Sequence, residues 1–180
     1  MILGPVTLLK LVKKGKLVEN LSDRELTRPE GAGFDLRLGE VYKIYGEGYL
    51  GVTERKTPDA RLICSYRPGK LIQKIVIKPG ESYLVSTVES VNLPLNLTAN
   101  LWLRSTLYRS GLILSGGNVA PGYSGKLSFT FFNSGNSTVT IELGGRIVHI
   151  LFYEVSGEGN KYRGQWQGGR VVTRKKEKQI

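Results

Sequence analysis

From residue 71 onward the chain is a succession of short segments rich in apolar residues, and turn-forming residues follow most of them. Seven segments predict β-strands, at residues 71–77, 83–88, 98–103, 111–115, 126–132, 138–143 and 147–154. The turn signals between them include Gly116-Gly117, Pro121-Gly122 and Gly144-Gly145. Many short strands at regular spacing, without alternating helices, predict an all-β sandwich, jelly roll or barrel.

A short amphipathic helix is predicted near the start, over residues 6–14. Leu8 and Leu11 recur at helical spacing, and the lysines face away from them. Pro5 suits the first helical turn and Gly15 suits the end of the helix. Because the apolar face is short, we expect this helix to pack on a sheet edge rather than on a membrane.

Between the helix and the regular strands, two further segments can be interpreted. Apolar and charged side chains alternate over residues 34–38, which predicts a strand, and residues 40–45 continue it or form its hairpin partner. Residues 46–70 carry Gly, Pro and charge without clear periodicity. They predict an exposed excursion that holds one short strand around Leu62.

The end of the chain is poor in apolar residues and rich in Gly, Gln and basic residues. We expect a single domain over residues 1–172, in which residues 157–172 form a lid-like tail. Residues 173–180 predict a mobile basic tail, since they cannot bury enough surface to order themselves.

Composition narrows the classes of function. The chain has one cysteine and one histidine, which excludes an internal disulfide and argues against a zinc site. The apolar runs are too short to span a membrane, and the N-terminal apolar stretch is interrupted by lysines, which does not suit a signal peptide, so we expect a soluble cytoplasmic protein.

The net charge of +11 is concentrated at the two ends of the chain. A mildly basic body favours a phosphate pocket, and a nucleic-acid-binding β-barrel is a weaker alternative.

Phosphate-binding chemistry is predicted where Arg104, Ser105 and Thr106 precede Arg109. Guanidinium groups, hydroxyls and the N–H groups of a helical turn are all donors that suit phosphate oxygens. The alternative is a polar turn with a surface ion pair.

A glycine-containing hairpin follows over residues 111–125. Such a hairpin exposes backbone donors and acceptors that can bind a base edge, and Tyr123 could stack on a sugar or base. The alternative is a plain β-hairpin.

His149, alone on its strand, is more typical of a satisfied core or edge residue than of a catalyst. Residues 161–170 mix cations, amides and aromatics, as suits a lid over anions or a disordered basic tail.

In this order and spacing, these segments resemble the dCTP deaminase/dUTPase superfamily. The most specific match is Arg104-Ser105-Thr106-Leu107 followed by Arg109 and Gly111-Leu112. The resemblance covers nearly the whole chain except residues 46–70 and the last seven. Further matching segments are Gly33 to Gly39, Pro121 to Gly125, Asn133-Ser134-Gly135, Arg146-Ile147 and Lys161 to Gln165. The opening helix and the Asp35 to Gly39 segment are similar to the deaminase branch.

The resemblance implies a distorted β jelly roll with a short N-terminal helix, assembled as a homotrimer with pockets shared between subunits. It implies a deoxypyrimidine triphosphate ligand, dCTP or dUTP, accompanied by Mg²⁺ and without a direct metal site on the protein. The implied triphosphate-binding residues are Arg104, Ser105, Thr106, Lys161 and Gln165. The implied nucleoside-binding residues are Asn118, Val119, Ala120 and Tyr123. Ser105 and Arg109 match residues that serve the deaminase active site.

Two positions depart from the family pattern. Ala120 stands where the family carries an aspartate, and Thr130 stands where the deaminase branch carries a glutamate as general acid and base. Neither a methyl group nor a hydroxyl is an effective base near neutral pH. The sequence therefore leaves two possibilities open. One is a dCTP deaminase or dUTP diphosphatase type hydrolase with displaced catalytic groups, and the other is a non-catalytic nucleotide-binding sensor or regulatory relative.

Overall fold

Short antiparallel strands make up most of the protein in the computed structural model, which describes residues 1–157 and 159–179. The helices found there are α1 (Pro5–Gly15), α2 (Asp23–Thr27) and α3 (Ser105–Arg109). The strands are β1 (Val18–Glu19), β2 (Phe34–Tyr45), β3 (Tyr49–Leu50), β4 (Glu54–Lys56), β5 (Asp59–Ser65), β6 (Lys74–Ile77), β7 (Ser82–Asn92), β8 (Leu97–Leu103), β9 (Leu112–Ser115), β10 (Asn118–Val119), β11 (Ser124–Asn133), β12 (Val139–Glu142), β13 (Arg146–Glu154) and β14 (Glu177–Lys178). The predicted mostly-β fold with one N-terminal helix is confirmed.

One long strand, β2, joins the two halves of the main sheet. The strands follow the order β10-β8-β13-β2-β7-β11-β9, with β1 beside β7 and β5 beside β2. The first residues of β2 pair with β13, and from Leu38 onward β2 pairs with β7. A side chain at Gly39 would place its Cβ 2.6 Å from the carbonyl oxygen of Thr87. Glycine at this position therefore lets the two backbones approach where the sheet curls.

The inward side chains of the curled sheet form the hydrophobic core. Leu36 and Leu38 of β2 and Phe131 of β11 are fully buried, as the alternation along their strands predicts. The rings of Phe34 and Phe152 meet edge to face, with their centroids 6.3 Å apart. Burying such large apolar side chains supplies the main driving force for this fold.

The predicted N-terminal helix is confirmed, but its last residue differs from the expectation. Leu8 of α1 is fully buried. Lys16, and not Gly15, adopts the left-handed conformation with φ of 50°. Its N–H donates to the carbonyl of Val12, and the buried Leu17 anchors the chain directly after it. The packing of Leu17 therefore sets where the helix ends.

The excursion over residues 46–70 holds more strand structure than the single strand predicted near Leu62. That residue lies in β5, which pairs with β2, and the hairpin of β3 and β4 precedes it. Leu50 and Val52 remain exposed on the hairpin. The two strands of the hairpin contain two and three residues, which is too short for a periodic signal in the sequence.

The last residues of the chain pair with this hairpin, whereas the sequence predicts a mobile basic tail over residues 173–180. β14 pairs with β4, and Thr173 is fully buried. The N–H of Thr57 donates to Oγ1 of Thr173 at 2.8 Å, and the N–H of Thr173 donates to Oγ1 of Thr57 at 2.9 Å. These partners are 116 positions apart, so no local pattern could indicate them. Ile180 lies outside the described residues.

Across the described ranges, no helix is long and apolar enough to cross a membrane.

Replacing Thr173 with valine should loosen the end of the chain, because the N–H of Thr57 loses its acceptor. A buried donor without a partner costs about 1–3 kcal/mol, and we expect local stability to fall by that amount. Limited proteolysis should cleave residues 170–179 faster, and urea unfolding should show the loss of stability. Thr140→Val, on an exposed position of β12, is the matched control. Equal cleavage of Thr173→Val and the wild type would contradict this anchoring.

Candidate functional site

A cavity of about 420 Å³ lies between the glycine hairpin, the outer face of the sheet and the C-terminal tail. This volume falls within the usual range for small-molecule sites. All four residues that the resemblance implies for nucleoside binding line it: Asn118, Val119, Ala120 and Tyr123. The other lining residues are Ile44, Thr57, Pro58, Leu84, Leu127, Ser128, Tyr162, Trp166, Arg170, Val171 and Val172.

Backbone pairing fixes the hairpin that forms one wall of the cavity. Asn118 and Val119 pair with β8, and the N–H of Tyr123 donates to the carbonyl of Ala120 at 3.2 Å. The amide of Asn118 makes only long contacts, at 3.4 Å, to the side chains of Thr98 and Asn100. The backbone of the hairpin is therefore held by hydrogen bonds, whereas the Asn118 amide makes only long contacts that other partners can replace.

Tyr123 connects the hairpin to the tail. Its buried ring meets the ring of Tyr162 edge to face, with centroids 5.4 Å apart. Its hydroxyl donates to the carbonyl of Lys126 at 2.6 Å. Burial raises the pKa of Tyr123 to about 12. The phenol is therefore neutral at physiological pH and acts as a fixed wall of the cavity rather than as an acid.

The tail is held over the hairpin by several backbone contacts. The N–H of Gly168 donates to the carbonyl of Ser124 at 2.7 Å, and the N–H of Tyr162 donates to the carbonyl of Pro121 at 2.8 Å. Gly125 has φ of 141°, and a Cβ on it would lie 2.3 Å from the backbone nitrogen of Gly169. This close approach requires glycine and brings the tail onto the mouth of the cavity.

The cavity contains few groups that could transfer a proton. Among its described lining residues, the ionisable side chains are Tyr123, Tyr162 and Arg170. Arg170 is paired with Glu177, with its Nη1 and Nη2 donating at 3.0 and 2.5 Å. Ala120 contributes only a methyl group. The lining therefore suits binding of a flat, mostly apolar ring and offers no carboxylate as a general base.

Thr130 lies near the cavity without lining it. It is half-buried on β11, where it pairs with Leu84 of β7 and Ser115 of β9. Its side chain shares the outer strand face with Ser128, which does line the cavity. The opposite face carries the buried Phe129, in agreement with the alternation that the sequence predicts.

The predicted phosphate-binding residues lie in other hollows of the same chain. Arg104 precedes α3, and Ser105 begins it with an exposed side chain. Both line a shallow depression of about 400 Å³ together with Tyr108 and His149. Arg109, at the end of α3, lines a separate hollow beside residues 135–140. A single chain therefore does not bring these residues to the hairpin cavity. Thr106 is exposed in the first turn of α3.

The two predicted tail residues are also separate from Arg104. Lys161 is exposed, and its side chain packs close to the hairpin, since a Cβ on Gly122 would lie 2.8 Å from its Cγ. Gln165 lines a groove that adjoins the hairpin cavity. Trp166 and Arg170 belong to the segment 161–170 that the sequence predicts as a lid, and both contribute to the cavity walls, although the sequence did not single them out as site residues.

Arg104 is bound to a buried carboxylate that sequence reasoning did not identify as part of a site. Asp35 is almost completely buried, and its Oδ2 accepts from Arg104 and, at 2.9 Å, from Arg146. Burial by itself would raise the pKa of Asp35, but hydrogen bonds from His149 and Arg104 hold it far below its usual value. Asp35 is therefore an anion that fixes both guanidinium groups.

His149 completes this cluster. Its Nδ1 lies 2.8 Å from Oδ1 of Asp35, and its Nε2 lies 3.0 Å from the carbonyl oxygen of Ala32. Both partners are acceptors, so only the doubly protonated ring can donate to both of them. The hydrogen bond to Asp35 raises the pKa of His149 despite the opposing effect of burial. The two acceptors and the raised pKa therefore both favour the protonated ring.

A second helix, α2, supports the same cluster and was not predicted. Oε2 of Glu25 accepts from the N–H of Asp35 at 2.9 Å, and Arg24 pairs with Glu25. The signal that could have indicated this helix is Ser22 with Glu25 three residues later, the pattern of a capping box. The side chain of Ser22 accepts from the N–H of Glu25.

Comparison with known proteins shows which family and which relatives this chain resembles. The family model described as dCTP deaminase-like matches residues 2–155. The dCTP deaminase of Pyrococcus furiosus is 32% identical over 170 residues, which are 94% of this chain and 96% of that protein. The dUMP-forming dCTP deaminase of a Sulfurihydrogenibium species is 33% identical over 181 residues, covering 96% of this chain and 95% of that protein.

Among solved structures, the 2'-deoxycytidine 5'-triphosphate deaminase from Agrobacterium tumefaciens matches with a TM-score of 0.64 and 19% identity. The match covers 84% of this chain, which spans 48% of that longer chain. At this identity the similarity concerns the fold alone, and it confirms the distorted jelly roll that the resemblance implies.

The charge on His149 should make stability depend on pH. Because its pKa is raised in the folded state, its contribution is complete below about pH 6.5 and is lost as the pH rises through the folded pKa. Urea unfolding of the wild type and of His149→Gln at several pH values measures this contribution. The stability difference between the two proteins should be largest in acid and shrink in alkali. A difference that is independent of pH would contradict the imidazolium assignment.

Proposed function

The chain belongs to the dCTP deaminase-like family, which confirms the resemblance seen in its sequence, and from that premise we propose that it binds a deoxypyrimidine triphosphate without deaminating it. The observation that carries this proposal is the cavity beside the hairpin. Asn118, Val119, Ala120 and Tyr123 line it together, and its described walls hold no Asp, Glu or His side chain. Family membership places the protein in deoxypyrimidine nucleotide metabolism.

The hairpin supports recognition of a pyrimidine. An asparagine amide presents both a donor and an acceptor, which a pyrimidine edge can match. The amide of Asn118 is held only by contacts of 3.4 Å, near the limit for a hydrogen bond, so a base can replace them at little cost. The rings of Tyr123 and Trp166 supply the flat apolar surface on which a base or sugar can pack.

A homotrimer is part of the proposal, because one chain separates the two sets of predicted residues. Ser105 and Thr106 carry exposed hydroxyls on α3, whereas the cation of the hairpin cavity, Arg170, is already paired with Glu177. In the proposed assembly, α3 of one subunit lies beside the cavity of its neighbour. Its donors then bind the triphosphate of a nucleotide held by the neighbouring hairpin.

Mg²⁺ is proposed to arrive with the triphosphate rather than on a protein site. The described residues contain no group of three or more His, Cys, Asp or Glu side chains that could hold a metal ion. The ion would therefore be bound through phosphate oxygens, whose charge it would neutralise.

The loss of chemistry in this proposal follows from two side chains. Ala120 lines the cavity and Thr130 lies on the strand beside it, so carboxylates at these positions would be close to a bound base. General acid and base groups contribute about 10²- to 10⁴-fold in rate, and their removal need not affect the walls that bind the ligand. Turnover with displaced groups is the second candidate, favoured by 32% identity to a dCTP deaminase over 94% of the chain.

A nucleotide panel tests the proposal directly. Purified protein with Mg²⁺ is titrated with dCTP, dUTP, dTTP and CTP by calorimetry, and the same mixtures are analysed for products by chromatography. We expect dCTP or dUTP to bind without product and to bind more tightly than CTP, which carries an additional 2'-hydroxyl. Formation of dUTP or dUMP by the wild type would establish the second candidate. Absence of binding by every nucleotide would reject both candidates.

Restoring the two carboxylates tests whether the cavity is a former active site. The double variant Ala120→Asp with Thr130→Glu should gain product formation by about 10²- to 10⁴-fold over the wild type. The matched control, Ala120→Asn with Thr130→Gln, has similar side-chain shapes without basic groups and should stay inactive. If the carboxylate variant binds dCTP and dUTP but gains no activity, these positions are not where the lost groups acted.

A further inference from the structure

The shallow depression beside α3 lies over a group of charged side chains that are bound to one another. Its volume is about 400 Å³, and Arg104, Ser105 and His149 line it. The carboxylate of Asp35 lies behind this wall. It accepts hydrogen bonds from three side chains, Arg104, Arg146 and His149. We call Asp35 and the charged groups that contact it, directly or through α2, the Asp35 cluster.

The remaining members of the Asp35 cluster come from α2 and the residues that follow it. Arg24 donates to Oε1 of Glu25 and, at 2.9 Å, to Oε2 of Glu30. Its Nη1 also lies 3.7 Å from Oδ2 of Asp35. Glu25 is almost completely buried, whereas Glu30 is exposed at the rim of the depression. The three carboxylates of the cluster therefore equal its three guanidinium groups in number.

Neighbouring residues do not change this balance. Arg37 lies opposite Arg146 on β2, but its Nε donates to the fully buried Glu89 at 2.7 Å, and its backbone N–H donates to the same carboxylate at 2.8 Å. Arg37 and Glu89 therefore neutralise each other. Trp102, which pairs with His149 from β8, carries no charge. The imidazole of His149 is thus the group that decides whether the Asp35 cluster has a net charge.

The contacts of the His149 ring favour its protonated form. Its two nitrogens face the carboxylate of Asp35 at 2.8 Å and the carbonyl oxygen of Ala32 at 3.0 Å. Either neutral tautomer would leave one nitrogen lone pair facing an acceptor. The protonated ring gives the Asp35 cluster one surplus positive charge, and the neutral ring leaves the cluster balanced. Because His149 also lines the depression, this charge acts directly on an anion bound there.

Loss of the proton would also change how Arg104 is held. The protonated ring shares the negative charge of Asp35 with two guanidinium groups, those of Arg104 and Arg146. Without that shared charge, Asp35 would attract Arg104 more strongly, and an anion in the depression would compete less well for the same guanidinium. Both effects of deprotonation therefore weaken the binding of an anion.

We propose that the protonation of His149 sets the affinity of this depression for the polyphosphate group of a nucleotide. This inference rests on the proposed function, in which α3 supplies donors to a triphosphate, and it adds a regulation of that site by pH. The hydrogen bond to Asp35 raises the pKa of His149 above its ordinary value. Affinity should therefore be complete in acid and fall as the pH rises through this raised pKa.

The single histidine of the chain allows a direct test. In untagged protein, His149 gives the only histidine ring signals of an NMR spectrum, so its pKa can be followed without assignment. Protonation and anion binding are linked reciprocally. Saturating tripolyphosphate should therefore raise the pKa of His149. An unchanged pKa in the presence of bound tripolyphosphate would overturn the proposal.

Calorimetry across pH tests the same linkage through affinity. Wild type should bind tripolyphosphate about three- to tenfold more tightly than His149→Gln in acid, because one nearby charge is lost in the variant. The two affinities should become equal in alkali. Their ratio removes the ionisation of the ligand, which is the same for both proteins. The matched control is Arg61→Gln, which removes a charge from an exposed position of β5 and should follow the wild type at every pH.

A lysine at the same position separates charge from shape. His149→Lys carries a cation that does not titrate near neutral pH, so it should keep high affinity in alkali, where the wild type loses it. A purely structural role of the ring predicts that His149→Gln and His149→Lys lose affinity equally at every pH, and this result would overturn the proposal.

The outcomes distinguish this inference from the proposed function. If the ratio of wild type to His149→Gln is independent of pH, or if the wild type does not bind tripolyphosphate, the inference fails even when dCTP or dUTP binds. If the ratio depends on pH as expected but dCTP and dUTP bind no better than tripolyphosphate, the role of His149 stands and nucleoside recognition fails.

Discussion

The buried carboxylate of Asp35 is the interaction on which the arrangement around α3 depends. An ionised group removed from water is costly unless it is paired and hydrogen-bonded, and Asp35 has Arg104, Arg146 and His149 as partners. These partners come from β13 and from the residue that precedes α3. Because the carboxylate needs all of them, it fixes how α3 lies on the sheet. The family resemblance assigns Arg104 to a triphosphate, and the structure shows that the same guanidinium is oriented by Asp35 before any ligand binds.

The hairpin cavity depends on a different set of contacts, made by segments far apart in the sequence. The hairpin supplies one wall and the tail supplies another. Gly125 lets the tail approach, since any side chain there would collide with the backbone of Gly169. Reciprocal hydrogen bonds, from the backbone N–H of each of Thr57 and Thr173 to the hydroxyl oxygen of the other, then hold the end of the tail against the excursion. The contacts that close the cavity and those that order the end of the chain therefore both come from the same tail segment.

Binding and catalysis rest on separable groups in this architecture. The walls of the cavity come from backbone pairing and from large side chains such as Tyr123 and Trp166. A general base, in contrast, is one carboxylate at one position, and the sequence resemblance aligns Ala120 and Thr130 with such groups. A change at such a position alters a single side chain and leaves the walls intact. Binding and proton transfer would therefore depend on different side chains, which is the physical basis of the proposed function.

Periodic patterns in the sequence determined the elements that are long enough to show a period. The helix α1, the strand β2, the strands β6 to β9 and β11 to β13, and the hairpin with Asn118 and Tyr123 could all be predicted, because side-chain alternation and turn residues are local properties. The helix α2 and the strands β3, β4 and β14 have two to five residues each, too few to show a period.

Only the tertiary structure decided which distant groups meet. Arg104 pairs with Asp35 across 69 positions, and Thr57 bonds Thr173 across 116. The same holds for Arg55 and Gln165, which line one groove although they belong to segments far apart in the sequence. Residue type and local spacing define what each side chain can do, whereas its ion pairs and cavities depend on where the curled sheet brings remote segments together.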